Sequence, residues 1–196
     1  MKSIQILSLL VFIVLFSSCK NESDGELAKY SEIGLHIAST TKAQMEKHLI
    51  KTIKEKGTSE ALQFCYINAY PITDSMATVH QASIKRVTDR PRNPINKANK
   101  IELENVSYFK SILAEGGEVK PIIEEKEDKV SFYYPIVTNK KCLQCHGAPN
   151  TEIKESTLTN LLYLYPSDRA TGYSENQVRG IWSIQFKKEK ATTANE

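Results

Sequence analysis

The sequence lacks the features of several protein classes. Its charge is nearly balanced, with 26 Lys and Arg against 23 Asp and Glu and a net charge of +3. The basic residues are scattered rather than blocked, so nothing in the chain predicts a nucleic-acid partner. It has no internal repeat and no low-complexity segment. Its length of 196 residues suits one domain with a real core better than two domains.

The chain also lacks an apolar run long enough to cross a bilayer. Its main apolar run, from Ile4 to Phe16, follows Lys2 and fits a secretory signal instead. The small residues before Cys19 resemble a lipobox, with Phe16 in place of the more usual Leu. This resemblance implies that residues 1–18 form a lipoprotein signal peptide and that Cys19 carries lipid. The alternative is a plain signal peptide with an incidental cysteine.

An exported lipoprotein belongs to the cell envelope, on the periplasmic side or at the outer membrane of a Gram-negative bacterium, and meets the membrane through its anchor. The polar residues 19–26 then suit a tether. Residues 27–188 would form the single domain, and residues 189–196 a tail without regular structure.

The hydrophobic pattern changes from helical to alternating along the chain. Residues 26–56 have helical periodicity, ended by Gly57. A second helix capped by Ser59 places Leu62 and Cys65 on one face, and Pro71 is expected to kink or interrupt it.

The rest of the chain predicts a small sheet. Its expected parts are an irregular loop over residues 86–99, a helix over 101–114, a hairpin of strands 118–125 and 129–137, an ambiguous segment 153–164 and a final strand 178–187. The predicted class is therefore α+β, an antiparallel sheet preceded by long helices.

Cysteine is scarce, with four in the chain, yet two of them occur in a C-x-x-C-H run formed by Cys142, Cys145 and His146. Two thiols at this spacing can each add to a vinyl group of one porphyrin, and the histidine can bind the iron. A zinc site would need a second pair of ligands, and no second C-x-x-C or C-x-x-H exists. A thioredoxin-like dithiol would not require the histidine. The run therefore predicts one covalent haem c.

Several separated motifs carry a family resemblance. They are Ala61–Cys65, Arg86–Pro94, Tyr133–Ile136, the C-x-x-C-H run with Gly147, Tyr165–Tyr173 and Val178–Gly180. In this order they resemble a bacterial family of single-haem c-type cytochrome domains with a PAS-like fold, long catalogued as a domain of unknown function. The family occurs alone and as the sensor part of signalling proteins. The resemblance covers roughly residues 30 to 187.

The resemblance implies axial ligation of the iron by His146 and a thiolate from Cys65. From spacing alone, Cys65 is no better a candidate than His80, and Met76, His36 and His48 are further possible ligands. A thiolate would stabilise ferric iron and lower the reduction potential below that of a His/Met cytochrome.

Three arginines of the 86–99 segment, Arg86, Arg90 and Arg92, are candidates for pairing with the haem propionates. The alternative is a solvated loop. Arg179 is expected to fix the segment from Tyr165 to Tyr173 instead.

These features predict a lipid-anchored monohaem cytochrome for electron transfer or redox sensing, with an unknown redox partner. Six ligands on the iron leave no position for a substrate, so we do not expect an enzyme. Two alternatives stay open. One is a sensor that binds a diatomic gas when Cys65 dissociates, and the other is a small peroxidase with five-coordinate haem.

Overall fold

The computed structural model describes residues 22–188 and consists of helices around one sheet. The elements, in chain order, are α1 (Glu22–Lys56), α2 (Thr58–Val79), β1 (Ser83–Val87), a 3-10 helix (Pro94–Asn96), α3 (Lys100–Ala114), β2 (Ile122–Lys126), β3 (Lys129–Val137), α4 (Leu143–His146), α5 (Glu155–Leu164) and β4 (Val178–Lys187). Among the described residues, no helix is both long enough and apolar enough to span a membrane.

The four strands form an antiparallel sheet in the order β1-β4-β3-β2. The final strand and the hairpin were predicted, although β2 begins at Ile122 and not at the expected residue 118. The α+β class is confirmed. Strand β1 was not predicted, because its five residues include two cations and its partner β4 lies about 100 residues further along the chain. Arg86 therefore lies in an edge strand rather than in the expected loop.

Both faces of the sheet are buried. On one face, Ile37 of α1 packs with Phe132 and Ile184. On the other face, Phe109 of α3 packs with Tyr133 and Ile181. Because successive strand residues point to opposite faces, the alternation in β4 supplies side chains to both layers.

The helix boundaries differ from the prediction at two places. Helix α1 begins at Glu22, so residues 22–26 of the expected tether are helical, whereas residues 19–21 lie outside the described part of the chain. Gly57, and not Ser59, is the N-cap of α2, with φ of 86°. This positive φ is favourable for glycine, so one residue both ends α1 and starts α2.

Pro71 does not interrupt α2, which is continuous from Thr58 to Val79. Proline removes one N–H, which frees the carbonyl group of Ile67 four residues earlier. Both residues are exposed, so water can satisfy that carbonyl and the helix tolerates the proline. The continuous helix places Cys65 near its middle.

A capping box starts α3, and packing against α2 accompanies the helix α5. Asn99 and Glu102 form a capping box at the start of α3, which ends the irregular segment after β1. The segment that was ambiguous between helix and strand is the helix α5, whose buried Leu161 faces Leu62 of α2.

Candidate functional site

The C-x-x-C-H run forms the short helix α4 and lies against α2 and α5. Cys142 is its N-cap, and the backbone N–H of His146 donates to the carbonyl oxygen of Cys142 at 3.0 Å. Cys145 contacts an apolar cluster of Leu62, Ile153, Leu161 and Tyr165. The three cysteines within residues 22–188 are free thiols. Two free thiols and one imidazole therefore occupy a single turn beside an apolar cluster.

The imidazole of His146 is oriented by a loop carbonyl. Its Nδ1 lies 2.7 Å from the carbonyl oxygen of Ala170, a distance at which Nδ1–H donates and the lone pair of Nε2 stays free. Arg179 Nε lies 3.3 Å from the same nitrogen, but a protonated Nδ1 cannot accept from it. The shorter contact therefore decides the tautomer.

The surroundings keep His146 neutral. Burial lowers the pKa of His146 well below its ordinary value, and the charges of Arg92 and Arg179 lower it further. A neutral imidazole with a free Nε2 is the form in which histidine binds a metal. The residue that the sequence predicted as an iron ligand thus has the chemical form that ligation requires.

Cys65 lies on α2, one turn after Leu62, and faces the same region. Burial raises the pKa of the Cys65 thiol, and the charges of Arg86 and Arg92 partly offset this rise. The pKa of Cys145 is raised to about 11, chiefly by burial and in smaller part by the neighbouring Cys65, while the charge of Arg92 acts in the opposite direction. The charge of Arg92 lowers the pKa of both thiols, so the two thiols lie in one neighbourhood. Without a metal both are thiols, whereas a metal ion would deprotonate its ligand.

The three candidate arginines have different surroundings. Arg90 donates to the carbonyl oxygens of Arg169 and Thr171, and its guanidinium lies 4.4 Å from the ring centroid of Tyr173. The guanidinium of Arg90 is therefore occupied by acceptors of the 165–173 segment. Arg86 is half-buried and has no hydrogen-bond acceptor or ion-pair partner within residues 22–188. Of the two, only Arg86 keeps its guanidinium free for a ligand.

The guanidinium of Arg92 is also hydrogen-bonded within the protein. Its Nε donates to Asp168 Oδ2 at 3.1 Å, and its Nη2 donates to the carbonyl oxygen of Cys145 at 2.5 Å. We expected Arg179 to fix the 165–173 segment, but Arg90 and Arg92 form the side-chain hydrogen bonds to it. Arg179 itself contacts the ring of Tyr173 and the carbonyl oxygen of Arg90.

The other candidate ligands lie elsewhere. His80 follows α2 fifteen residues after Cys65, about 22 Å along a helix axis, and its ring contacts that of His36. Met76 packs against the sheet core. His48 is exposed and stacks on Phe64. Among the residues described, no three His, Cys, Asp or Glu side chains gather as a metal site.

Sequence reasoning missed Asp168 and Ala170 as parts of the site. The carboxylate of Asp168 pairs with Arg92, and the carbonyl of Ala170 holds His146. Tyr173 contributes a buried hydroxyl that has no hydrogen-bond partner among the described residues. All three lie in the Tyr165–Tyr173 segment, so the motif identified the correct segment but not the role of each residue.

Comparison with known proteins identifies the family of the chain. The sequence model of the Tll0287-like family matches residues 22–186. The chain belongs to the Tll0287-like family. This confirms the single-haem cytochrome family resemblance, whereas lipid attachment at Cys19 stays a prediction and lies outside the described residues.

A solved structure, that of the cyanobacterial heme-protein Tll0287, matches the fold with a TM-score of 0.58 and 19% sequence identity. The match covers 81% of this chain and 97% of that one. At this identity the likeness to Tll0287 shows the fold. No curated protein sequence matches the chain.

Proposed function

We propose that this Tll0287-like domain binds one haem c through Cys142, Cys145 and His146. The observation that carries the proposal is the hydrogen bond from His146 Nδ1 to the Ala170 carbonyl, which leaves Nε2 free beside two free thiols. Cys142 and Cys145 would hold the haem by thioether bonds, each sulfur adding to one carbon of a vinyl group and the thiol hydrogen to the other. This addition needs reduced thiols but no oxidant.

Cys65 is the proposed second axial ligand. It is the third free thiol of the described chain, and its burial on α2 next to Cys145 supports this role. The charges of Arg86 and Arg92 act on it and would offset the charge of a thiolate. Bound haem would supply a one-electron ferric/ferrous couple, tuned to low potential by the thiolate.

With both axial positions occupied by side chains of the chain, electron transfer or redox sensing is the proposed role rather than catalysis. The five-coordinate peroxidase alternative needs a distal base, and the pairing of His36 with His80 far along α2 does not favour one. The proposed location is the cell envelope, with lipid on Cys19 as the membrane anchor.

An optical spectrum of the exported protein, made in a host with cytochrome c maturation, tests the proposal. We expect a c-type spectrum after reduction, and haem that stays on the chain under denaturing conditions. The double variant Cys142→Ser/Cys145→Ser should lose the covalent haem. The control Cys65→Ser should retain it, because Cys65 forms no thioether. Colourless wild-type protein, or covalent haem in the double variant, would refute the proposal.

Mass spectrometry of the membrane fraction tests the anchor. We expect the mature chain to begin at Cys19 with an added diacylglyceryl mass. Cys19→Ser should abolish this mass and release the protein from membranes.

A further inference from the structure

We infer that Asp168 and Arg92 are positioning residues that hold the Ala170 carbonyl against His146 and thereby set the hydrogen bond of the iron-binding imidazole. This inference rests on the proposed function, because it assigns a purpose to contacts around the proposed ligand. It concerns residues outside the C-x-x-C-H run and outside the proposed ligand pair.

The Ala170 carbonyl lies in an irregular segment between α5 and β4, where no sheet ladder fixes its direction. Asp168 supplies the missing constraint, because its Oδ1 accepts the backbone N–H of Ala170 at 2.7 Å. This local side-chain to backbone bond fixes the turn that precedes the carbonyl. Ala170 itself is fully buried, so water does not compete for its backbone groups.

Arg92 connects this turn to α4. Its guanidinium donates to the other oxygen of Asp168 and to the carbonyl oxygen of Cys145, and its Nη2 lies 3.4 Å from the carbonyl oxygen of Ala170. The side chains of Arg92 and Asp168 are only 11% and 4% exposed. A planar guanidinium with several donors can hold three acceptors at fixed angles, which a lysine ammonium cannot do.

The far end of the same segment is tied to α4 by backbone bonds. Gly172 N–H donates to the Gly147 carbonyl at 2.7 Å, and Tyr173 N–H donates to the His146 carbonyl at 2.9 Å. The segment is therefore held on both sides of Ala170. Removing the Asp168–Arg92 pair would release one side and let the carbonyl turn away from the imidazole.

A strong bond from Nδ1–H to a carbonyl makes the imidazole a better electron donor and favours ferric iron. If the pair holds that carbonyl, then weakening the pair should expose the Nδ1 proton to solvent and raise the reduction potential. If the pair only stabilised the loop, its loss would change the unfolding midpoint but leave the exchange rate of the Nδ1 proton unchanged.

The test is the exchange rate of the His146 Nδ1 proton in D2O, measured by NMR on reduced protein labelled with 15N in histidine, together with the midpoint potential. Asp168→Asn and Arg92→Lys should each speed exchange about tenfold, the loss of roughly one hydrogen bond. Both should raise the potential. Arg92→Lys keeps the charge, so it separates positioning from a simple change in electrostatics.

Asp89→Asn is the matched control. Asp89 lies in the same segment of chain as Arg92 and forms an ion pair with Lys110, but it does not contact Ala170 or His146. It should leave the Nδ1 exchange rate unchanged. Unchanged exchange in both Asp168→Asn and Arg92→Lys would overturn the inference, even if the potential moved.

The inference and the proposed function fail separately. Wild-type protein without covalent haem refutes the proposed function, yet the Nδ1 proton and its response to the two substitutions can be measured in either form. Haem attached normally, with exchange insensitive to both substitutions, refutes the positioning role alone.

Discussion

Gly34 of α1 lies directly on the ring of Phe132 of β3. A Cβ built on Gly34 would be 2.5 Å from Cγ and 2.6 Å from Cε2 of that ring, and both residues are buried. Only a residue without a side chain lets the helix approach the sheet this closely. This close contact lets the long first helix approach the sheet, where Ile37 of the same helix also packs on Phe132.

Gly34→Ala should destabilise the fold. Overpacking a core typically costs about 1–3 kcal/mol, which exceeds the gain of about 1 kcal/mol that alanine brings to a helix interior. We expect the free energy of unfolding to fall by about 1–2 kcal/mol, measured by urea denaturation.

Gly25→Ala is the control for the helix propensity, because nothing lies within 4 Å of a Cβ at that position of α1. It should leave the free energy of unfolding unchanged or raise it. Equal effects of the two substitutions would contradict the close contact between Gly34 and Phe132.

The ion pair of Asp89 and Lys110 should make stability depend on pH. Burial raises the pKa of Asp89, but the hydrogen bond and charge of Lys110 at 2.6 Å outweigh it and hold the pKa below its ordinary value. A depressed carboxylate pKa stabilises the fold above the unfolded pKa of about 3.9. The stabilisation is lost as the pH falls through the folded pKa.

Asp89→Asn should therefore lower the free energy of unfolding at pH 7 by up to about 1 kcal/mol, as expected of a partly exposed pair. At about pH 3 the wild type and the variant should differ less, because the wild-type carboxyl is then largely protonated. Urea denaturation at the two pH values measures this, and a difference that does not change with pH would contradict the assignment.

Local patterns predicted the parts of the fold whose cause is local. The alternation in residues 178–187 predicted β4 with its observed bounds, and the helical spacing before Gly57 predicted α1 apart from its first four residues. Strand β1 could not be predicted in this way. Its pairing with β4 is a long-range contact, and a run that contains Lys85 and Arg86 does not resemble a strand by composition.

The same difference between local and long-range contacts applies to the residues of the site. Cys142, Cys145 and His146 are contiguous, so their spacing alone predicted them together. Asp168 and Arg92 are 76 residues apart, and only the folded loop shows that the Asp168 carboxylate joins Arg92 to the backbone of Ala170 beside His146. Local spacing carries no information on such contacts, and for this reason Cys65 came from the family resemblance alone.

Arg86 should tune the reduction potential. Burial lowers its pKa, its charge acts on Cys65, and it has no acceptor within residues 22–188. Removing a positive charge next to the proposed iron site would favour the ferric state, so Arg86→Gln should lower the midpoint potential in a spectroelectrochemical titration. If Arg86 pairs with a haem propionate, its replacement would leave that negative charge uncompensated, which would also lower the midpoint potential.

Lys85→Gln is the control, since Lys85 carries the same charge on the same strand but is exposed on its other face. Solvent and salt screen an exposed charge, so its effect on the potential should be small. Similar shifts in the two variants would show that only the net charge of the protein matters.

Cys65→Ala should leave the haem attached and change its spectrum. The two proposed thioether bonds do not involve Cys65, whereas loss of the proposed thiolate ligand would alter the ferric absorption bands and raise the reduction potential. Met76→Leu and His80→Gln test two of the other candidates, and both should keep the wild-type spectrum because Met76 packs on the sheet and His80 contacts His36. An unchanged ferric spectrum in Cys65→Ala would exclude thiolate ligation while leaving the C-x-x-C-H attachment intact. A spectral change on adding carbon monoxide to Cys65→Ala, but not to the wild type, would show that this thiol normally closes the site to diatomic ligands.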